Sequence, residues 1–282
     1  MRVWKAISCL WWEVAAVCNL LCANFSRLRK SKIFWTEITF SALFAIITCV
    51  CNYQPEISQT EFRVTLDDVF FSNYLYFCLV ISAGVGLILG TEHSEGTLRN
   101  KLIVGKTRVQ VYVSNLVTCV AASTATVAAN LGIMSTLGYW LLGGFQMPME
   151  QVAIGICCTF LANAAITAVC VLIAMNCSSK SNGAVFSILF QLALLYVTSY
   201  IMTLLSEPQT ISDDLPILNP VYISGAFRKI LEGLLDLLPH GQMFQIYAGE
   251  YAHCRYWPWL SILLLTVVSL CGCLAFRRKN LK

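Results

Sequence analysis

Residues 151–175 read QVAIGICCTFLANAAITAVCVLIAM, twenty-five consecutive positions without a charge. A helix rises ~1.5 Å per residue and needs about 20 apolar residues to cross the ~30 Å hydrocarbon core of a bilayer, so this stretch is long enough to span one. Five more stretches of the same kind occur, at about 33–51, 73–90, 109–135, 183–205 and 257–276. Of the 19 basic and 15 acidic side chains, only Glu37 falls inside any of the six. In lipid every backbone polar group must be paired within the protein, which makes helices the expectation for all of them. A chain that is 57% hydrophobic and 12% charged, with a net charge of +4, fits neither a soluble enzyme nor a disordered segment nor a basic nucleic-acid binder. The fold class read here is an all-α integral membrane protein with six transmembrane helices.

The charges that flank the stretches set the orientation. Arg27, Arg29, Lys30 and Lys32 precede the first span; Arg99, Lys101, Lys106 and Arg108 lie between the second and third; Lys180 follows the fourth; and Arg277, Arg278, Lys279 and Lys282 follow the sixth. The opposite loops hold only Arg63, Arg228, Lys229 and Arg255 and are rich in acid. Loops with excess Lys and Arg stay in the cytoplasm, so both termini are expected there. The third stretch stays uncharged to Leu142, about 34 residues, too long for one span. It either projects beyond the bilayer or breaks near Gly132 or Gly138, with Tyr139 and Trp140 at the interface.

Residues 1–24 form a segment of uncertain status. Arg2 and Lys5 precede an apolar run as in a signal peptide, but Glu13 interrupts it and no small-residue cleavage site follows. An interfacial helix is one reading. A start-site artefact is another: codons for Trp12-Glu13-Val14 can contain a ribosome-binding sequence, which would place the native start near Val17. Of the 14 cysteines most lie in spans, where small apolar packing accounts for them. A bridge from Cys254 to Cys49 or Cys51 is the one disulfide the positions permit.

Catalysis in the bilayer would require ionisable or metal-binding groups in the spans. All three histidines, His93, His240 and His253, lie in loops, and no Cys/His spacing suggests a metal. Glu37 stands alone, five residues beyond Lys32, and is read as reaching the cytoplasmic interface or pairing with a base there, with a substrate or proton role as the alternative. Gly105-Lys106-Thr107 ends like a phosphate-binding loop, but Asn100 occupies the position of the required first glycine and no strand precedes it. No catalytic residue and no metal ligand is assigned.

Two loop segments are amphipathic. In the first, Leu98, Leu102 and Ile103 are read as one apolar face opposite Arg99, Asn100 and Lys106, with Glu92 and Glu95 at its start as the helix dipole favours. The second, an outer helix at about Tyr222 to Leu238, sets Ile223, Phe227, Ile230, Leu231, Leu234 and Leu235 against Arg228, Glu232 and Asp236 at i, i+4, i+8. Small residues recur every four positions as Ser82, Gly86, Gly90 and as Ala121, Ala125, Ala129, a pattern for close packing within the chain or between protomers. Asn115, Asn130, Asn163 and Gln191 are polar at span depth. Interhelical hydrogen bonds account for them, and Asn130, Asn163 and Gln191 are also candidates for a substrate pathway.

The stretch Glu92-x-x-Glu95-Gly96-Thr97-Leu98-Arg99-Asn100-Lys101-Leu102, directly after span two and followed by Gly105 and Arg108, resembles the corresponding loop of ABC-2 type transporter permeases. The basic entry to the first span, residues 27–35, and the segment Leu238-Pro239-His240-Gly241-Gln242 before the last resemble that family too. The resemblance implies a six-span permease domain over residues 25–282, with no nucleotide site of its own. It implies a cytoplasmic coupling helix in which Glu92, Glu95, Gly96, Thr97, Leu98, Arg99, Asn100, Lys101 and Leu102 contact a separate ATP-binding subunit. ATP and Mg would sit on that subunit, expected in two copies, beside a second permease chain in a homodimer or heterodimer.

The resemblance extends to export permeases for antimicrobial-peptide resistance. It therefore implies a multi-pass bacterial plasma-membrane protein that moves an amphipathic or lipidic substrate, an antimicrobial peptide being one such cargo, with no nucleic-acid partner. A non-transporting multispan immunity protein is the alternative, and a membrane enzyme a weaker one.

Overall fold

The computed structural model describes residues 17–53, 64–177, 179–208, 219 and 222–279. Among them there is no strand. Helical residues 17–30 (α1) lead, after a break at Ser31, into α2 (Lys32–Cys51). A short α3 (Leu66–Phe70) precedes α4 (Tyr74–Ser94), and α5 (Thr97–Ile103) precedes α6 (Arg108–Ile133). A π-turn over Met134–Gly138 joins α6 to α7 (Tyr139–Leu142). Then follow α8 (Met149–Asn176), α9 (Lys180–Ser206), α10 (Gly225–Leu237), α11 (Pro239–Tyr247) and α12 (Trp257–Arg278). Six of these helical runs are long and apolar enough to cross a membrane, and they match the six stretches read from sequence.

The third span neither stops nor breaks. It runs as one helical rod of 35 residues, Arg108–Leu142, with an extra residue accommodated in the π-turn. Tyr139 and Trp140 at its far end are 59% and 87% exposed, as interface anchors are.

The chain folds around α4 and α8. In the most apolar window of these two spans 56% and 61% of residues are buried, against 17% in α2, α9 and α12. α4 packs on α9 and α8; α8 also packs on α6 and α12, and α2 on α6. The peripheral helices therefore turn large apolar side chains outward, among them Phe40, Leu43 and Ile47 on α2, Phe186 and Leu189 on α9, and Leu263, Val267 and Leu270 on α12. Such surfaces are stable facing hydrocarbon and a liability in water.

The small residues of span two serve contact within the chain. A Cβ added at Gly86 would lie 2.4 Å from the Ala184 Cα, and one at Gly90 would lie 2.6 Å from the Lys180 Cα, so α4 and α9 touch backbone to backbone. On α6 the buried stripe is Ala122, Thr126 and Asn130; Ala121, Ala125 and Ala129 beside it are half-buried.

The basic ends gather on one side of the bundle. Arg108 donates to the carbonyls of Phe276, Arg277 and Lys279 at the end of α12, where unpaired helix carbonyls favour a cation. Lys279 Nζ in turn donates to Met175 O at 2.9 Å and Cys177 O at 2.7 Å. Cys49, Cys51 and Cys254 are free thiols, and Cys49 packs against Met134 Sδ at 3.5 Å. The disulfide that sequence permitted is absent. The proposed start near Val17 turns on residues that lie outside those described.

Candidate functional site: a buried ionic corner beneath the loop after span two

The loop after span two is built differently from its amphipathic reading. α4 runs on to Ser94, so Glu92 belongs to its last turn, and the chain reverses at Gly96 before α5 begins. Gly96 has φ +67°, a left-handed conformation that only glycine adopts at little cost. The two acids thus lie at a helix C-terminus, where the dipole opposes them, and cations compensate.

Glu92, 8% exposed, is the centre of that compensation. Its carboxylate accepts from Lys101 Nζ at 2.8 and 3.0 Å, from Asn115 Nδ2 at 2.8 Å and from an Arg27 guanidinium nitrogen at 3.3 Å. Asn115 Oδ1 accepts from Asn24 Nδ2 at 2.9 Å and from Lys101 at 3.1 Å. Asn24 Oδ1 accepts from Lys101 at 2.9 Å, so the three donors of the ammonium are all used. Arg27 reaches Glu95 at 3.1 Å as well, and Thr97 Oγ1 donates to the Glu92 carbonyl at 3.0 Å. One network therefore ties α1, α4, α5 and α6 together. Sequence reading used Arg27 only as a basic residue before the first span and did not single out Asn24. The available signal was the spacing Leu20, Asn24, Leu28, all three of which are buried as one stripe of α1.

The nine residues of the coupling assignment divide by face. Glu92, Leu98 and Lys101 point into the bundle, with Leu98 2% exposed; Arg99 and Asn100 point out. Ile103 does not share the face of Leu98 and Leu102. At 100° per residue it lies 140° from Leu98, and it is 74% exposed beside Val104 at 77%. An exposed apolar pair thus crowns the loop between spans two and three. Thr107, the residue that suggested a phosphate loop, instead caps α6: its hydroxyl accepts from Gln110 N at 3.3 Å while its own N–H reaches Gln110 Oε1 at 3.0 Å.

The span-depth polar residues are buried between helices of this chain. Asn130 donates to Ser41 O at 3.0 Å, Asn163 to Ser123 Oγ at 3.1 Å and Gln191 to Cys170 Sγ at 3.3 Å. Each leaves its side-chain oxygen without a hydrogen-bond partner among the described residues.

On the opposite side, α10 carries the Arg228–Glu232 pair at 2.9 Å, while Asp236 turns inward. Asp236 accepts from Trp257 Nε1 at 2.9 Å and Gln245 Nε2 at 3.1 Å, and meets His253 Nδ1 at 2.8 Å. It pins α10 to α11 and α12. The Pro-x-Gly-Gln segment works at the same joint. A Cβ at Gly241 would lie 2.2 Å from the Leu235 carbonyl, and Gln242 bridges Asp236 O at 2.7 Å and Ser261 Oγ at 2.8 Å. His240 beside them is 2% exposed, with neither ring nitrogen partnered among the described residues. Burial lowers its pKa from 6.5 to about 4. The unfolded chain takes up this proton near pH 6.5 and the folded chain does not, so stability is expected to fall as pH drops from 6.5 towards 4, by roughly 3 kcal/mol. Melting temperatures of wild type and His240→Met between pH 7.5 and 4.5 check this: the variant should lose distinctly less.

A model of the ABC-2 family transporter proteins matches residues 20–199, from α1 through most of α9. The chain belongs to the ABC-2 transporter family. Comparison with curated proteins finds no match. The matched range contains the whole ionic corner. Family membership makes this chain a multi-pass membrane permease subunit of an ABC transporter, not itself catalytic and acting with an ATP-binding subunit.

Proposed function

We propose that the chain is the permease half of an exporter driven by ATP hydrolysis on a separate subunit. The observation that carries this is the ionic corner. It joins α5 by side-chain hydrogen bonds to α1, α4 and α6, while Arg99, Asn100, Ile103 and Val104 face outward on the side of the basic ends. A partner seated on that outer face would push on four helices at once. The ATP-binding subunit binds ATP and Mg, docks on α5, and is present in two copies, one for each of two permease chains. The outward apolar faces of α2, α9 and α12 suit a second permease chain as well as lipid. The membrane is the bacterial plasma membrane.

The cargo is an amphipathic or lipidic molecule, an antimicrobial peptide being one example, because the spans offer almost no charge to an ion. Asn130, Asn163 and Gln191, each with a side-chain oxygen unpartnered among the described residues, are its candidate contacts, and α10 with Arg228, Glu232 and Asp236 caps the outer end.

Replacing Ile103 and Val104 together by glutamate is expected to abolish co-purification of the ATP-binding subunit. Both side chains are exposed, so insertion and melting temperature should stay at wild-type values. Wild-type co-purification by the double variant would refute docking through α5.

A further inference from the structure

Four basic side chains crowd the elbow between α1 and α2: Arg27, Arg29, Lys30 and Lys32. Three of them, Arg27, Lys30 and Lys32, line a partly open cavity of about 370 Å³ between that elbow, the end of α4 and the start of α6. Arg29 does not line it. Arg27 and Lys30 reach it together because residues three apart share a helix face. The volume is that of a small-molecule site.

The lining changes character with depth. Along α4 it runs from Glu95 and Glu92 to Leu89 and Ile88, seven residues or about 10 Å of helix. The charged end is net positive. Arg27 and Lys101 balance Glu92 and Glu95 in the ionic corner, while Lys30 and Lys32 are exposed and have no ion pair among the described residues. Arg27 uses only two of its five N–H donors on the two acids. The other end is apolar, with Ile33 of α2 and Ile88 and Leu89 of α4 in the wall. No acid offsets the lysines from deeper in α2. Glu37 was read from sequence as reaching the interface or a base, and it does neither. Its carboxyl lies against α4 at Gly84, in the space a Cβ there would need, makes no ion pair among the described residues and is not part of the lining.

Trp35, 53% exposed, donates its indole N–H to the Arg29 carbonyl at 2.8 Å. Tryptophans of this kind sit at the membrane interface, which puts the elbow at the depth of lipid headgroups. We propose that the cavity binds an anionic phospholipid. Its phosphate is held by Lys30, Lys32 and the unused donors of Arg27, and the start of one acyl chain lies on Ile33, Ile88 and Leu89. Basic pockets between spans take lipid headgroups by this chemistry, and a lining charged at one end and apolar at the other admits head and chain in one order only. The inference rests on the membrane-spanning fold and goes beyond the exporter reading, whatever the cargo.

Native mass spectrometry of the full chain in detergent tests it, with phosphatidylglycerol and phosphatidylcholine of the same acyl chains as probes. Wild type should bind its first phosphatidylglycerol roughly tenfold or more tightly than phosphatidylcholine. Lys30→Gln and Lys32→Gln should each lower that preference severalfold and together remove it. Both side chains are exposed, so melting temperatures should stay at wild-type values. Arg29→Gln removes the same charge from the same elbow but outside the lining, and should leave the preference unchanged. Ile88→Trp, which fills the apolar end, should weaken phosphatidylglycerol binding with every charge in place. Inorganic phosphate in large excess should not displace the lipid, because it has no chain to lay on the apolar end. No preference in wild type, or an equal loss in Arg29→Gln and Lys30→Gln, overturns the proposal by reducing it to surface charge. Full displacement by inorganic phosphate, or unchanged binding by a folded Ile88→Trp, overturns it by removing the chain from the site.

Discussion

Glu92→Ala is expected to destabilise the chain by about 3–5 kcal/mol, because it strands Lys101 in a site where its side chain is 11% exposed. Asn115 loses its acceptor in the same step, and Arg27 keeps only Glu95. A buried ion pair is weak evidence of net stability, since a well-packed apolar replacement often does as well. The double variant Glu92→Met with Lys101→Met should therefore recover at least half of the loss. Thermal unfolding in detergent of Glu92→Met, Lys101→Met and the double measures the coupling directly. Additive losses in the double would show that the two charges do not depend on one another. Recovered stability with lost coupling to the ATP-binding subunit would assign the corner to force transmission rather than to holding the fold.

Gly86→Leu is the second change with a large expected effect. The added side chain has nowhere to go, because the atoms in its way are the backbone N and Cα of Ala184. Forcing methylenes into a packed contact costs about 1–3 kcal/mol where neighbours can shift. Here α9 as a whole must move, so a loss of about 3 kcal/mol or more, or failure to assemble, is expected. Ala184→Gly should not rescue it, since removing a side chain leaves the obstructing backbone in place. Gly132→Leu provides the contrast: no atom lies within 4 Å of a Cβ there, and its melting temperature should stay near wild type. Equal behaviour of the two variants would refute the close approach of α4 and α9.

The reading of Ile103 shows how the sequence misled. Its apolar character suggested a face shared with Leu98 and Leu102, but the helix starts at Thr97, after a left-handed turn, and is only seven residues long. The 100° step alone separates Ile103 from Leu98 by 140°, so the i+5 position could not share that face; which of the two sides meets the bundle is what the tertiary structure adds. Glu92 illustrates the same limit. It reads as the acidic first turn of a cytoplasmic helix and is instead the last turn of α4, because nothing local marks where one helix yields to the next except Gly96. Asp236 differs again: its i+4 spacing from Glu232 suggested a solvent row, and its acceptor role toward Trp257 and His253 depends on segments folding back from 17 and 21 residues away.

The charge-free runs opened by residues 151–175 were sufficient by themselves for the membrane and the six spans. The bilayer imposes those through the cost of each residue placed in it, a sum over local composition that needs no knowledge of neighbours. Which charges pair, where Glu37 points and which face of α5 is free were decided by the tertiary structure alone. Those outcomes depend on helices 60 to 90 residues apart in sequence meeting at distances of about 3 Å, as Arg27 meets Glu92 and Asn24 meets Asn115. Composition carries no information about such meetings. Only packing α1, α4, α5 and α6 into one corner brings the donors to the carboxylate.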